Sequence, residues 1–172
     1  QFLLIVSLMI AAVDKHQDLL RISVASAGND HRLGANEAPP AIVSMYLGDE
    51  LTGILQAIAD GRTYSKRAAC EVEICVHDLP KFAMDSTDRN RTSPLAFTGN
   101  KFECRMLGSA FSIADTNTVL NTIMADEFRA AAAELAEADD FNACIRDIIK
   151  RIMNEHGRIV FNGNNYSAEW VE

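Results

Sequence analysis

Between Thr87 and Met106 the chain reads TDRNRTSPLAFTGNKFECRM, which gathers Arg89, Arg91, Lys101 and Arg105 near the carboxylate of Glu103. From Asn100 to Met106 polar and apolar residues alternate, and that period predicts a strand with Lys101, Glu103 and Arg105 on one face and Phe102, Cys104 and Met106 on the other. A carboxylate flanked by cations, carried on an apolar-backed strand, has the parts to hold a metal ion and anionic substrates side by side. The same residues also make a solvated strand face with ordinary ion pairs, and for an isolated K-x-E-x-R that is the commoner case. The choice depends on what else the chain brings to the strand.

A second polar stretch, GNDHRLGANEAPP, contains Asp30, His31, Arg32 and Glu37. Its glycines, asparagines and terminal Pro-Pro predict a loop. Polar residues belong in loops in any case, but a loop this long in a compact domain usually has a job.

Several elements have to carry these stretches. The apolar run FLLIVSLMIAAV predicts a buried helix from Gln1 to about Lys15, and Asp18 to Ala27 predicts a second helix stopped by Gly28. A buried strand is expected over Ala41–Leu47, followed by a helix with Leu51, Ile54, Leu55 and Ile58 on one stripe and Gly61 as its stop. Arg62 to Ala69 reads as a solvated loop, and Val72–Val76 as another strand. A long helix is expected from near Thr116 to Ala138, with Val119, Leu120, Ile123, Met124 and Phe128 as its apolar stripe. A further helix over Phe141–Glu155 presents Ile145, Ile148, Ile149 and Ile152 and ends at Gly157. RIVFNG reads as a short strand or turn, and Ser167 as the N-cap of a last helical turn. No repeat, low-complexity linker or domain boundary is visible, and the pattern is that of an α+β domain.

At 172 residues, with 48% hydrophobic and 23% charged residues, the composition is that of a soluble globular protein. The net charge of -8 argues against non-specific nucleic-acid binding, which needs a basic surface, so anionic ligands must be held by local cation clusters. The opening apolar run is shorter than the ~20 residues of a membrane span and lacks the basic lead-in of a signal peptide. It reads as a helix of a chain that extends further upstream, and the C-terminus looks equally abrupt. Cys70, Cys75, Cys104 and Cys144 form no C-x-x-C pair and read as reduced thiols. His16, His31, His77 and His156 are scattered, which argues against a local histidine metal site.

Taken together, SVASAGNDHRLGANEAPPAIVSMYLGDEL and STDRNRTSPLAFTGNKFECRMLGS resemble the catalytic domain of glutamine synthetase in its long type III form. FNGNNYSAEW near the C-terminus fits the same family, so the likeness covers essentially the whole chain and is strongest from about Leu19 to Asn121. Two separated, idiosyncratic loops matching in order are more specific than a short motif. The resemblance implies a partial catalytic domain: a half-barrel antiparallel sheet with packing helices. It places the N-terminal β-grasp domain and the first part of the catalytic domain upstream of Gln1, so the chain carries about half of a site. The implied reaction is ATP-dependent ligation of ammonia to L-glutamate through a γ-glutamyl phosphate, with Mg2+ or Mn2+ as cofactor.

By the same resemblance Arg32 binds the substrate glutamate, and Glu37 belongs to a flap that closes the site and takes a proton from ammonium, which has no lone pair until it loses one. Arg91 contacts the nucleotide phosphate and the transferring group, Glu103 is a metal ligand, and Arg105 binds the substrate carboxylate. Lys101 stands where the family usually has arginine, which makes its nucleotide contact a point charge. Arg89 aligns with a basic position whose role stays open. Gly34-Ala35-Asn36 before Glu37 departs from the commoner loop but matches type III, and Ala96 falls where many members carry a second arginine. The family also implies hexameric rings, usually stacked, in the cytoplasm, with no membrane or nucleic-acid partner. A related γ-glutamyl-amine ligase and a non-catalytic assembly relative remain as alternatives.

Overall fold

The computed structural model describes residues 1–31, 42–65, 71–72, 82–83 and 93–171, with residues 29, 30, 71, 72, 82, 83, 169 and 171 described by their backbone. Helix α1 (Phe2–Lys15) is buried on nearly all sides from Val6 to Asp14, as an unbroken apolar run requires. It packs against α5 (Ile113–Ala136) and α6 (Phe141–His156), and α4 (Asp49–Ala59) packs on α6. The one charged residue in its buried stretch, Asp14, is paired: His156 Nδ1 lies 2.8 Å from Oδ2 and Arg158 Nε donates to Oδ1 at 2.9 Å. Those two bonds fix the end of α1 to the last residue of α6 and to the short 3-10 turn (Gly157–Ile159) that follows it.

Helix α2 (Gln17–Val24) ends sooner than expected. Ser23 Oγ bonds back to the Leu20 carbonyl at 2.7 Å and Ala25 turns extended, so Gly28 lies inside the next short helix, α3 (Ala27–Asp30), and is not the stop. Gly61 does follow the C-cap of α4. Helix α5 starts earlier than expected because the Ser112 hydroxyl accepts from Ala114 N, and Asp140 caps α6 by accepting from Asn142 N and Ala143 N. Within α5, Val119, Leu120, Ile123 and Met124 face the core. Phe128 does not and is 44% exposed. It lies five residues past buried Ile123, about 140° around the helix, while the buried line runs on through Glu127 and Ala131. On α6 the buried residues are Ile148, Ile149, Ile152 and Met153, and Gly157 carries the helix into the 3-10 turn.

The α+β class holds. Strands β1 (Met45–Tyr46), β4 (Leu95–Phe97) and β5 (Phe102–Cys104) form one sheet, and β2 (Glu71–Val72) pairs antiparallel with β3 (Phe82–Ala83). β1 and β5 are shorter than their sequence runs, and residues 73–76 of the expected Val72–Val76 strand lie outside the described residues. β4 and β5 are antiparallel, with Leu95 opposite Cys104, Ala96 opposite Glu103 and Phe97 opposite Phe102. β1 is parallel to β4, so the sheet is mixed; the two are joined by a long crossover that includes α4. Val160 bridges Met45 in parallel, and Phe161 N donates to the Met45 carbonyl at 2.9 Å. The C-terminal segment thus runs along the outer edge of β1. The final short helix, α7 (Ala168–Val171), starts directly after Ser167.

Candidate active site

The β4–β5 hairpin positions the ionic strand. Gly99 has φ +94°, a left-handed conformation that suits glycine, and Thr98 N donates to the Lys101 carbonyl at 2.9 Å. Across the hairpin Phe97 and Phe102 pack with ring centroids 5.4 Å apart, and Met106 is fully buried. The alternation therefore sets an apolar back against the core. Cys104 lies on that back, where burial pushes its thiol pKa up, away from nucleophilic use.

On the front Glu103 accepts from Arg105 Nη2 at 3.0 Å and Nε at 3.3 Å, and Lys101 Nζ stands 3.3 Å from its other oxygen. Thr98 Oγ1 completes the cluster, 3.4 Å from Oε1. The Arg105 hydrogen bonds, and then that of Lys101, hold the Glu103 carboxyl below its ordinary pKa. Ala96 is buried directly across from Glu103, so the two share a face, and no basic side chain comes from that position.

Glu103 fits the requirements of one metal ligand: it is ionised, partly exposed, and set on a rigid strand. It belongs to no group of three metal-type ligands among the described residues. The group that does occur there is His16, Asp126 and Glu127, between the α1–α2 junction and α5. Its carboxylates are taken up by Arg129 and by Lys15, the latter bonding both Glu127 oxygens at 2.8 and 3.0 Å. A divalent ion at Glu103 would draw its remaining ligands from elsewhere. Of the other candidates, Arg32, Glu37, Arg89 and Arg91 lie outside the described residues.

Sequence reasoning missed Thr98 and two asparagines of the C-terminal N-G-N-N. Asn162 Oδ1 accepts from Leu47 N and Gly48 N at 3.1 and 3.0 Å, while its Nδ2 donates to Thr52 Oγ1 at 2.9 Å, fastening the segment to the start of α4. Asn165 is buried and accepts from the Ser44 hydroxyl while donating to Ser93 Oγ at 3.2 Å. A run of asparagines beside glycine signals a turn, and nothing local names partners 72 to 121 residues away.

The sequence profile of the glutamine synthetase C-terminal domain matches residues 144–172, from the first turn of α6 through both asparagines. A type-3 glutamine synthetase of Dictyostelium discoideum is 45% identical over the whole of this chain. The chain belongs to the glutamine synthetase family. Glutamine synthetases of Butyrivibrio fibrisolvens and Bacteroides fragilis are each 44% identical, over 99% and 93% of the chain. The matched lengths take in both the ionic strand and the C-terminal asparagines. The chain spans about a quarter, 24%, of the Dictyostelium relative's length.

Proposed function

We propose that the chain is the C-terminal part of the catalytic domain of a glutamine synthetase that ligates ammonia to L-glutamate at the expense of ATP, and that it supplies one wall of that site. The observation that carries this reading is the front of β5, where an ionised Glu103 is bracketed by Arg105 and Lys101 on a strand locked to the core. Transfer of the γ-phosphoryl group to the glutamate side chain spreads negative charge over the phosphate oxygens, and what the protein must supply is fixed positive charge. Arg105 offers a planar fork to the substrate carboxylate, Lys101 a point charge to the nucleotide, and Glu103 an anionic ligand to the metal. A bound Mg2+ or Mn2+ supplies further positive charge near the transferring group.

Arg32 and Arg91 are assigned to glutamate and to phosphate, and Glu37 to taking the proton from ammonium so that the attacking nitrogen has its lone pair. The net charge of -8 fits substrates that are captured by such local clusters. Among the described residues no helix is long and apolar enough to cross a membrane, and a cytoplasmic ring of identical subunits is the setting we assign. The 172-residue chain by itself is expected to make no glutamine, because the remaining metal ligands come from outside it.

The test uses the full-length protein that contains this chain, assayed for glutamine with ATP, Mg2+, glutamate and ammonia. Glu103→Gln, which keeps the shape and removes the charge, is expected to lower the rate about a hundredfold or more. Ammonia-independent turnover that needs a polyamine, or full activity in the Gln variant, overturns the assignment.

A further inference from the structure

We propose that Asn165 is a positioning residue for the Glu103–Arg105 front, acting through Ser93 and β4; the functional half of this rests on the ligase reading. Ser44 and Ser93 are fully buried, one immediately before β1 and the other two residues before β4. Because those strands are parallel, the two hydroxyls lie at the same end of the sheet. Asn165 stands between them, 4% exposed, with its Oδ1 accepting from Ser44 and its Nδ2 donating to Ser93 Oγ and, at 3.5 Å, to the Gly163 carbonyl. A side-chain amide presents an acceptor and a donor in one rigid plane, and a planar bridge of this kind sets the spacing of two strands as well as joining them.

The path onward to the ionic front is short. Pro94, next to Ser93, accepts the backbone N–H of Arg105 at 2.7 Å, and two residues on Ala96 faces Glu103 in register. A shift at Ser93 is therefore passed directly to both charged residues. The turn that aims Asn165 is itself tightly set. A Cβ on Gly163 would fall 2.5 Å from the Phe161 ring, and that ring is stacked on Trp170 with centroids 3.9 Å apart. On its other side Asn162 holds the segment to the start of α4. Stability alone is equally well served by apolar residues in such a place, whereas a fully satisfied buried polar network fixes one arrangement.

The experiment compares Asn165→Ala and Ser44→Ala in the full-length protein with a control, Ile149→Val or Ile149→Ala, chosen to match the loss of Tm. Ile149 is buried in α6, and its apolar side chain takes no part in the hydrogen bonds of the network described. Two readouts are taken: hydrogen exchange of peptides covering residues 95–106, and steady-state kinetics. Asn165→Ala is expected to raise the KM for glutamate and the half-activating Mg2+ concentration about tenfold relative to the matched control, with kcat falling less. Amides of residues 95–106 are expected to exchange faster than in the control while those of α1 do not change. Ser44→Ala, which removes one end of the bridge, is expected to show the same pattern more weakly, and it carries the test if Asn165→Ala does not fold. Kinetics and exchange equal to those of the control overturn the proposal and leave Asn165 a stability residue only. If the unaltered protein forms no glutamine, the ligase reading fails separately, and exchange at residues 95–106 alone decides whether Asn165 sets the strand.

Discussion

Asp14 and Glu103 are both carboxylates flanked by two basic side chains, and they sit in opposite surroundings. Asp14 is buried at the end of α1, with partners that arrive from the far end of the chain. Glu103 stands at a partly open strand, with partners two residues away on either side. Burial makes the first cluster a structural joint, since an unpaired charge there has no water to turn to. Exposure makes the second a poor joint and a usable site: its ion pairs add little to folding, and its charges stay within reach of a ligand.

Replacing Asp14 tests the first half of that contrast and should have the largest effect. Asp14→Ala leaves His156 half-enclosed without its acceptor and cuts the tie from α1 to the 3-10 turn, while Arg158 regains water; a loss of about 2–3 kcal/mol is expected in urea unfolding. A change below the error of the measurement would make the two carboxylates equivalent. Asn162→Ala comes next, since it strips acceptors from two backbone amides at the start of α4; about 1–2 kcal/mol by the same method is expected.

The Glu134–Arg151 pair between α5 and α6 sharpens the scale at its weak end. It is bidentate, at 3.0 and 2.7 Å, but both side chains are more than a third exposed, so Glu134→Gln should cost only about 0.5 kcal/mol. The Arg151 hydrogen bonds hold Glu134 below its ordinary pKa. A depressed carboxyl pKa means that the contribution is fully present above the ordinary glutamate value and fades as pH falls through the lowered one. The difference between the parent and the Gln variant should therefore vanish in acid, as a pH series of unfolding midpoints would show.

Glu103 should give the smallest stability effect of all, with no resolvable change in the unfolding midpoint of Glu103→Gln. Its titration is the sensitive measurement. Arg105→Ala is expected to move the Glu103 carboxyl back up toward its ordinary range, and Lys101→Ala to do so less, in an NMR titration of the side-chain carboxyl. An unmoved titration in both variants would mean that the cations do not set its charge state.

The helices were legible because long apolar periods over α1, α4, α5 and α6 leave few other ways to bury those residues. Their ends were less so. Gly28 predicts a stop, yet the chain turns already at Ala25, and the caps Ser112 and Asp140 lie outside the apolar stripes that mark their helices. The alternation in Asn100–Met106 did predict both faces of β5, since a two-residue period admits one burial pattern. What local pattern does not carry is pairing: the parallel register of β1 with β4, and the seats of Asn162 and Asn165, depend on segments far apart in sequence. The roles of Arg32, Glu37 and Arg91 came from the family likeness, and those residues lie outside the described structure.

The bond from Ser44 to Asn165 spans 121 residues of sequence. Contacts of that range form late, because the loop between them must be closed before anything is gained. During synthesis the residues of β1 and β4 leave the ribosome well before the asparagine that joins them, so for that interval the sheet exists without its clasp. A nascent chain stalled before Asn162 should remain susceptible to protease near β1 and β4, while one extended past Trp170 should become resistant.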